Sequence, residues 1–294
     1  MRLDPFEKDL FRALNRRIPA ICRELPRSIR DLGMYYLLEH FTKYRLGNLA
    51  NFFGKFYAPS WTYIHWLCEK LPPARRDVFE RLCVQVQASG MLLHILDDHL
   101  SDGDAPVSSV SLQLRTQAWQ QLEAGAEGLA LAVGSPAALR WQELVDQYFA
   151  AICEREVPTF EAYVDRFRGQ VATGLIAARA LCAAGSVDFA RFREGFEQFT
   201  IAWRLLDDLR DISEDLERGE HSSIYYLLPE HERADWAANR ASKSFEQAVV
   251  QASTQLVNDA MTRLERASAL LYDIGLPHYA AQVFSLGLPL QMRS

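Results

Sequence analysis

Apolar positions recur at spacings of three and four along most of the chain, and the two-residue alternation of a half-buried strand is scarce, so the pattern predicts an all-α protein. A first amphipathic helix covers residues 4–17, with Phe6, Leu10, Phe11 and Leu14 on one stripe and Pro19 ending it. Helical text resumes after the turn at Pro26 and runs from Ile29 to about Phe56, with Gly33, Gly47 and Gly54 as breaks. A helix opened by Pro59 continues to Leu71 and is closed by Pro72 and Pro73. Long helices are predicted over 74–101, 108–133, 136–156, 159–184 and 189–216, divided by glycine, proline and serine turns. A short apolar piece at 224–228, two helices between Glu230 and Tyr272, and a last segment after Pro277 complete the chain. Every connection has the length of a helix-to-helix loop and there is no internal repeat, which predicts one α-helical domain over 1–294.

Two acidic clusters interrupt this pattern. Asp207, Asp211 and Asp215 are four apart, and since a step of four turns about 40° around a helix they share one stripe. Like charges at that spacing repel by a few tenths of a kcal/mol per pair on an exposed helix, and by more where apolar groups wall them in, so a cation is expected against them. Asp97, Asp98 and Asp102 form the other cluster, again behind an apolar run. Asp98 and Asp102 eclipse, whereas Asp97 and Asp102 lie about 140° apart on a regular helix; all three are candidate metal ligands. Oxygen ligands of this kind suit Mg²⁺, which takes one or two carboxylates and completes its shell with water and phosphate oxygens. Two acidic helices facing each other could hold several such ions and a diphosphate leaving group. Leu93 and Leu96 on one helix, and Phe199, Trp203 and Leu206 on the other, would line an apolar cavity beneath it, where Phe199 and Trp203 would favour a carbocation by cation–π attraction. His94 and His99 are poor ligands for Mg²⁺, and Trp61 and Trp66 are expected to pack.

Composition narrows the partners. The 294 residues are 49% hydrophobic with a net charge of −6, which does not suggest a nucleic-acid-binding surface. Five widely spaced cysteines without a C-x-x-C motif read as reduced core thiols. The charged N-terminus lacks the apolar core of a signal peptide, and no apolar run reaches the roughly 18 residues of a membrane span. A cytoplasmic protein without stable membrane insertion is expected.

Asp97-Asp-His-Leu-Ser-Asp102 and Asp207-Asp-Leu-Arg-Asp211 resemble the two aspartate-rich motifs of the class I isoprenoid synthases, the all-α superfamily of trans-prenyltransferases, terpene cyclases and squalene or phytoene synthases. Ala172-Thr-Gly-Leu175 is similar to the Lys-Thr-Gly-x-Leu helix of prenyltransferases, and Leu209 to Gly219 is similar to the second motif of squalene and phytoene synthases. The resemblance implies a helical bundle around a central active-site cavity, three Mg²⁺ ions held with the substrate diphosphate, Asp97 and Asp207 as catalytic metal ligands, and a homodimer. The basic Gly-Gly-Lys-Arg-x-Arg-Pro segment and the Arg-Arg pair that serve isopentenyl diphosphate in prenyltransferases are absent; Lys43-Tyr-Arg45 is a faint echo, and the motif lysine is Ala172. The site for ionising an allylic diphosphate is intact. These departures favour a terpene synthase that ionises a linear C15 or C20 prenyl diphosphate, with Asp207, Asp211 and Asp215 in the cyclase ligand positions. The alternative is a prenyltransferase joining an allylic diphosphate to another acceptor or to a second allylic diphosphate; a third reading is a non-catalytic partner subunit. Arg166, Arg168, Arg179 and Arg210 are candidate diphosphate partners, since a guanidinium fork suits phosphate oxygens, and Tyr225 and Tyr226 are candidates to close over the diphosphate.

Overall fold

Asp4 caps the first helix: its carboxylate accepts the backbone N–H of Glu7 at 2.8 Å, and the Glu7 carboxylate accepts the N–H of Asp4 at 2.8 Å. In the computed structural model, which describes residues 4–41, 52–53, 57–134, 139–154, 156–238 and 242–287, this helix is α1, Pro5–Glu24. It runs through Pro19, contrary to the expected stop. Ile21 and Cys22 continue its buried stripe past the proline, each at 1% exposure. Burial of such side chains contributes about 1.5–3 kcal/mol each, which together offsets the roughly 3 kcal/mol a mid-helix proline costs.

The helices that follow are α2 (Arg30–Phe41), α3 (Pro59–Cys68), α4 (Pro73–Asp102), α5 (Ser109–Val133), α6 (Gln142–Cys153), α7 (Phe160–Gln170), α8 (Leu175–Gly185), α9 (Phe189–Arg218), α10 (Ser223–Leu227), α11 (Glu230–Ala237), α12 (Lys243–Asp273) and α13 (Pro277–Phe284), and there is no strand among the described residues. Gly33 lies inside α2 rather than breaking it; a Cβ there would come within 2.6 Å of Leu25 Cδ1, so close approach is its use. Gly47, Gly54, the Lys43-Tyr-Arg45 echo and the predicted helix start at Pro136 lie outside the described residues. No helix among the described residues is long and apolar enough to cross a membrane. The five cysteines are unpaired, four buried and Cys153 exposed.

The predicted single helix over 159–184 is two helices joined by a 3₁₀ turn at Ala172–Gly174. Polar groups inside the protein account for that break. The Tyr63 hydroxyl sits 2.7 Å from the Gly174 carbonyl and 2.6 Å from Gln87 Oε1, while Gln87 Nε2 donates to the Ser60 carbonyl at 2.9 Å. A carbonyl left over where the helical ladder stops is thus given a donor in the interior.

The chain divides into two compact units, one formed by Met1–Tyr148 with Gln170–Phe189 and the other by Phe149–Gly169 with Ala190–Ser294. In the first, α4 supplies the central buried stripe through Cys83, Val86, Leu92, Leu93 and Leu96. Its partner α5 approaches so closely that a Cβ on Gly125 would lie 2.7 Å from Val86 Cγ2. In the second unit the first half of α9 buries Phe192, Phe196 and Phe199. Phe192 stacks on Tyr279 at 6.1 Å, and a Cβ on Gly195 would sit 3.0 Å from Leu271 of α12. The long helix α12 is opened by Ser242, which accepts from Phe245 N at 3.1 Å, and buries Leu256, Ala260, Leu264, Ala267 and Leu271 on one stripe.

The acidic end of α9 terminates in a left-handed residue. Gly219 has φ +69°, and the N–H of Glu220 reaches back to the Asp215 carbonyl at 2.9 Å, which satisfies a carbonyl of the last turn. No atom lies within 4 Å of where a Gly219 Cβ would be. Gly219→Ala is therefore expected to lose about 1 kcal/mol through backbone strain alone, measured as a lower urea midpoint at unchanged slope.

Candidate active site

Both acidic clusters occupy the C-terminal ends of long helices, α4 and α9. The peptide dipoles place partial negative charge at the helix end, so the carboxylates in the last turn, Asp102 of α4 and Asp215 of α9, are opposed by about 0.3–1 kcal/mol where a cation would be favoured. Packing alone gives no reason for acids at these positions.

In the first unit, Leu92, Leu93 and Leu96 are buried and the helix surface turns outward just beyond them. Asp98 and Asp102, four apart, are exposed, whereas Asp97 is largely covered, its side chain 10% accessible. The Asp97 carboxylate receives both arms of Arg115: Nε lies against Oδ1 and Nη2 donates to Oδ2 at 3.1 Å. Tyr148 donates its hydroxyl to the same Oδ2 at 2.5 Å. Tyr148 is fully buried, and that burial together with the adjoining Asp97 charge pushes its ionisation far up, so it stays a donor. Trp119, one turn beyond Arg115 on α5, meets the Tyr148 ring edge-on at 5.7 Å. Asp97 is thus the anchored member of the cluster, and Asp98 and Asp102 are the pair presented to solvent. His99 places Nδ1 3.9 Å from Asp104 and its ring 4.9 Å from that of Phe41.

In the second unit the ladder is graded. Asp207 is partly buried, and burial, followed by the charge of Asp211, raises its carboxyl above the usual aspartate range. Arg210 Nη1 lies 3.7 Å from Asp207 Oδ1. Asp211 is exposed. Asp215 is pushed up to about 6, chiefly by burial, with the Ser222 hydroxyl opposing the shift and the charges of Asp208 and Glu220 adding to it. Asp208 turns the other way, 3% exposed, and is held by Arg204, Tyr163 and the backbone of Ser223. Each Asp-Asp pair therefore has one member fastened inward by an arginine and a tyrosine, and a neighbour left more accessible.

The predicted lining and substrate residues fall out unevenly. Phe199 is fully buried, packed edge-on against Phe196 at 5.9 Å, while Trp203 keeps 8% exposure and meets Phe167 edge-on at 6.3 Å. Arg168 is committed to Asp165 at 2.5 Å and Glu197 at 3.3 Å. Arg179 donates to the Arg140 carbonyl at 3.0 Å, pairs with Glu143 at 3.2 Å and lies over the Phe189 ring, which is a packing role within the first unit. Arg166 differs from these: its buried Nε has no hydrogen-bond partner among the described residues, and its charge lies near enough to Tyr226 to influence that phenol. Tyr225 stacks on His221 at 3.8 Å, and Tyr226 packs against Tyr163 at 5.4 Å. Among the described residues no three His, Cys, Asp or Glu side chains gather closely enough to hold a metal ion.

Arg115, Tyr148, Asp208, Tyr163 and Arg204 went unread in the sequence. For Asp208 a signal existed: it follows Leu205 by three and Ile201 by seven, which puts it on the buried stripe. Arg115 and Tyr148 carried none, because 18 and 51 residues separate them from Asp97.

No protein-family model and no curated protein matches the sequence. The fold does match solved structures. A polyprenyl synthetase from Streptomyces coelicolor A3(2) is 14% identical with a TM-score of 0.67, covering 95% of this chain and 98% of its own. Octaprenyl pyrophosphate synthase from Helicobacter pylori is 12% identical at TM-score 0.65, covering 95% and 99%. Geranylgeranyl pyrophosphate synthetase from Geoglobus acetivorans is 16% identical at TM-score 0.60, covering 97% and 96%. The chain has the all-α fold of the class I isoprenoid synthases, as its motifs implied.

The raised Asp215 gives a pH signature. Its carboxyl releases its proton only near pH 6 in the folded chain and near pH 4 in the unfolded one. The folded state therefore binds the extra proton between those values, and stability falls as pH rises through that window. Asp215→Asn is expected to raise the melting temperature at pH 7.5 and leave it unchanged at pH 4; equal shifts at both would contradict the assignment.

Proposed function

We propose that the chain is a Mg²⁺-dependent prenyltransferase that ionises an allylic prenyl diphosphate and joins the prenyl group to a second substrate. The observation that carries this reading is the pair of acid clusters at the C-terminal ends of α4 and α9, on a fold shared over 95% of the chain with a polyprenyl synthetase. The sequence by itself favoured cyclisation. Likeness to several prenyl synthases supports transfer more strongly than cyclisation.

Mg²⁺ suits the donors present: carboxylate oxygens only, with Asp207 and Asp215 reluctant to ionise without a counter-charge. In the first unit Asp98 and Asp102 would hold Mg²⁺, with Asp97 orienting that cluster from its clasp with Arg115 and Tyr148, and in the second unit Asp207, Asp211 and Asp215 would do so. Bound Mg²⁺ would neutralise the diphosphate as the carbon–oxygen bond breaks and the electron pair leaves with the oxygen. Arg166 is the arginine best suited to the diphosphate, because its Nε is not already taken. Leu93 and Leu96 in the first unit, and Trp203 in the second, supply apolar surface within a turn of their own unit's acids, which would disfavour water there.

Cyclisation stands as the second reading, on one structural observation. Ala172, where prenyltransferases carry a lysine, is 1% exposed, so this chain offers no cation for a second diphosphate there.

The test is to incubate purified protein and Mg²⁺ with C10, C15, C20 and C25 allylic diphosphates, with and without isopentenyl diphosphate, and analyse products by mass spectrometry. Transfer predicts a lengthened product only when two substrates are present. A hydrocarbon or terpene alcohol with the same carbon number as the one diphosphate supplied would transfer the assignment to the cyclase reading, and no diphosphate release from any substrate would overturn both. Asp207→Asn should lower turnover at least a hundredfold, on the order of one lost electrostatic contact to the leaving group, with helix content unchanged.

A further inference from the structure

The reaction assigns no task to Asp208, although it is the acid of the second cluster most completely withdrawn from solvent. A buried carboxylate is tolerated only with several donors. Oδ2 accepts from the Tyr163 hydroxyl at 2.8 Å and from the Ser223 backbone N–H at 3.0 Å, and Oδ1 pairs with Arg204 Nε at 3.1 Å. Arg204 Nε also lies 2.7 Å from the Tyr163 oxygen, closing a four-membered polar network. With two donors on one oxygen and a guanidinium on the other, the carboxylate is turned away from any cation that Asp207 could reach.

The network's connections show what it fastens. Ser223 begins α10, is fully buried, and its N–H would be an orphan of the helix's first turn without Asp208. At the far end of the same segment, Arg233 donates Nη2 to the Tyr226 carbonyl at 2.8 Å and Nε to the Leu228 carbonyl at 3.1 Å. Between these two fastenings lie Tyr225 and Tyr226, the latter packed on the Tyr163 ring. Ser222, at the start of the segment, adjoins the Ser223 N–H that Asp208 holds.

We infer that Asp208 is a positioning residue, which fastens residues 222–228 to the acid-bearing helix α9 and so sets Ser222, Tyr225 and Tyr226 beside the acid ladder, with Tyr163 and Arg204 acting through it. The fastening stands on the geometry; its effect on substrate rests on the proposed prenyl diphosphate chemistry. Asp208→Asn keeps the shape but weakens three charge-assisted contacts, and Tyr163→Phe removes a single hydroxyl while leaving the ring that packs on Tyr226.

The experiment measures amide hydrogen exchange by mass spectrometry on the full-length chain, together with steady-state kinetics on the allylic diphosphate that the wild type accepts. Asp208→Asn should speed exchange across 219–228 by about tenfold or more, the equivalent of roughly 1.4 kcal/mol, with exchange in α12 unchanged. KM should rise by about tenfold while kcat stays within about twofold. Tyr163→Phe should do the same to a smaller degree, and it decides the matter if Asp208→Asn does not fold. Unchanged protection at Ser223 would overturn the inference, and faster exchange without a change in KM would reduce Asp208 to a purely structural role and overturn its positioning part. A wild type that turns over no diphosphate would sink the proposed reaction instead, and the exchange result would still decide whether Asp208 fastens the segment.

Discussion

A carboxylate in the last turn of a helix faces the negative end of the helix dipole, and this chain places one there on two of its three longest described helices, Asp102 on α4 and Asp215 on α9. Stability alone selects against the arrangement. The structure manages it by splitting each Asp-Asp pair: one carboxylate is drawn in and given an arginine and a tyrosine, and the other is left toward solvent with its charge uncompensated or only loosely met. Asp97 with Arg115 and Tyr148 is the first instance, Asp208 with Arg204 and Tyr163 the second. The inward member reverses between them, first of the pair on α4 and second on α9. What is repeated is therefore the physical solution and not a copied stretch of sequence.

This division bears on the raised carboxyls of Asp207 and Asp215 on α9. Asp208 has its donors close at hand. Asp207 and Asp215 have burial without enough positive charge, and their carboxyls are pushed up in consequence. Carboxyls held in this way, on a well-packed scaffold, are costly to ionise without a counter-charge, which is the physical support for the proposed cation site. The scaffold is firm where it has to be. Phe192, Phe196 and Tyr279 stack beneath the start of α9, and Gly195 lets Leu271 come close. The acids at the other end of the helix are thus carried on a rigid element instead of a loop.

Much of the fold was legible because helical periodicity is local. The extents of α4, α5 and α9 and the two helices between Glu230 and Tyr272 follow from spacing and turn residues alone. The errors came where the interior overruled the chain. Pro19 fails to end α1 because the buried stripe continues beyond it, and the helix expected over 159–184 breaks because Tyr63, more than a hundred residues earlier, is there to donate its hydroxyl to the Gly174 carbonyl. The acid ladder was readable for the same local reason as the helices, since the four-residue spacing of Asp207, Asp211 and Asp215 fixes a common face. Its supporting residues were not, because Arg115, Tyr148 and Tyr163 meet the acids through tertiary packing that no spacing encodes. Of the four candidate arginines, sequence treated all alike; only their surroundings distinguish Arg166 from Arg168 and Arg179.

The central claim is that the acids left toward solvent serve a cation and a diphosphate together. Isothermal titration of the wild-type chain with inorganic pyrophosphate, run with Mg²⁺ and again with a chelator, tests it most directly. The account predicts binding only with Mg²⁺, lost in an Asp207→Asn/Asp211→Asn double variant that keeps its melting temperature. Binding of equal strength without Mg²⁺, or undiminished binding by the double variant, would contradict it.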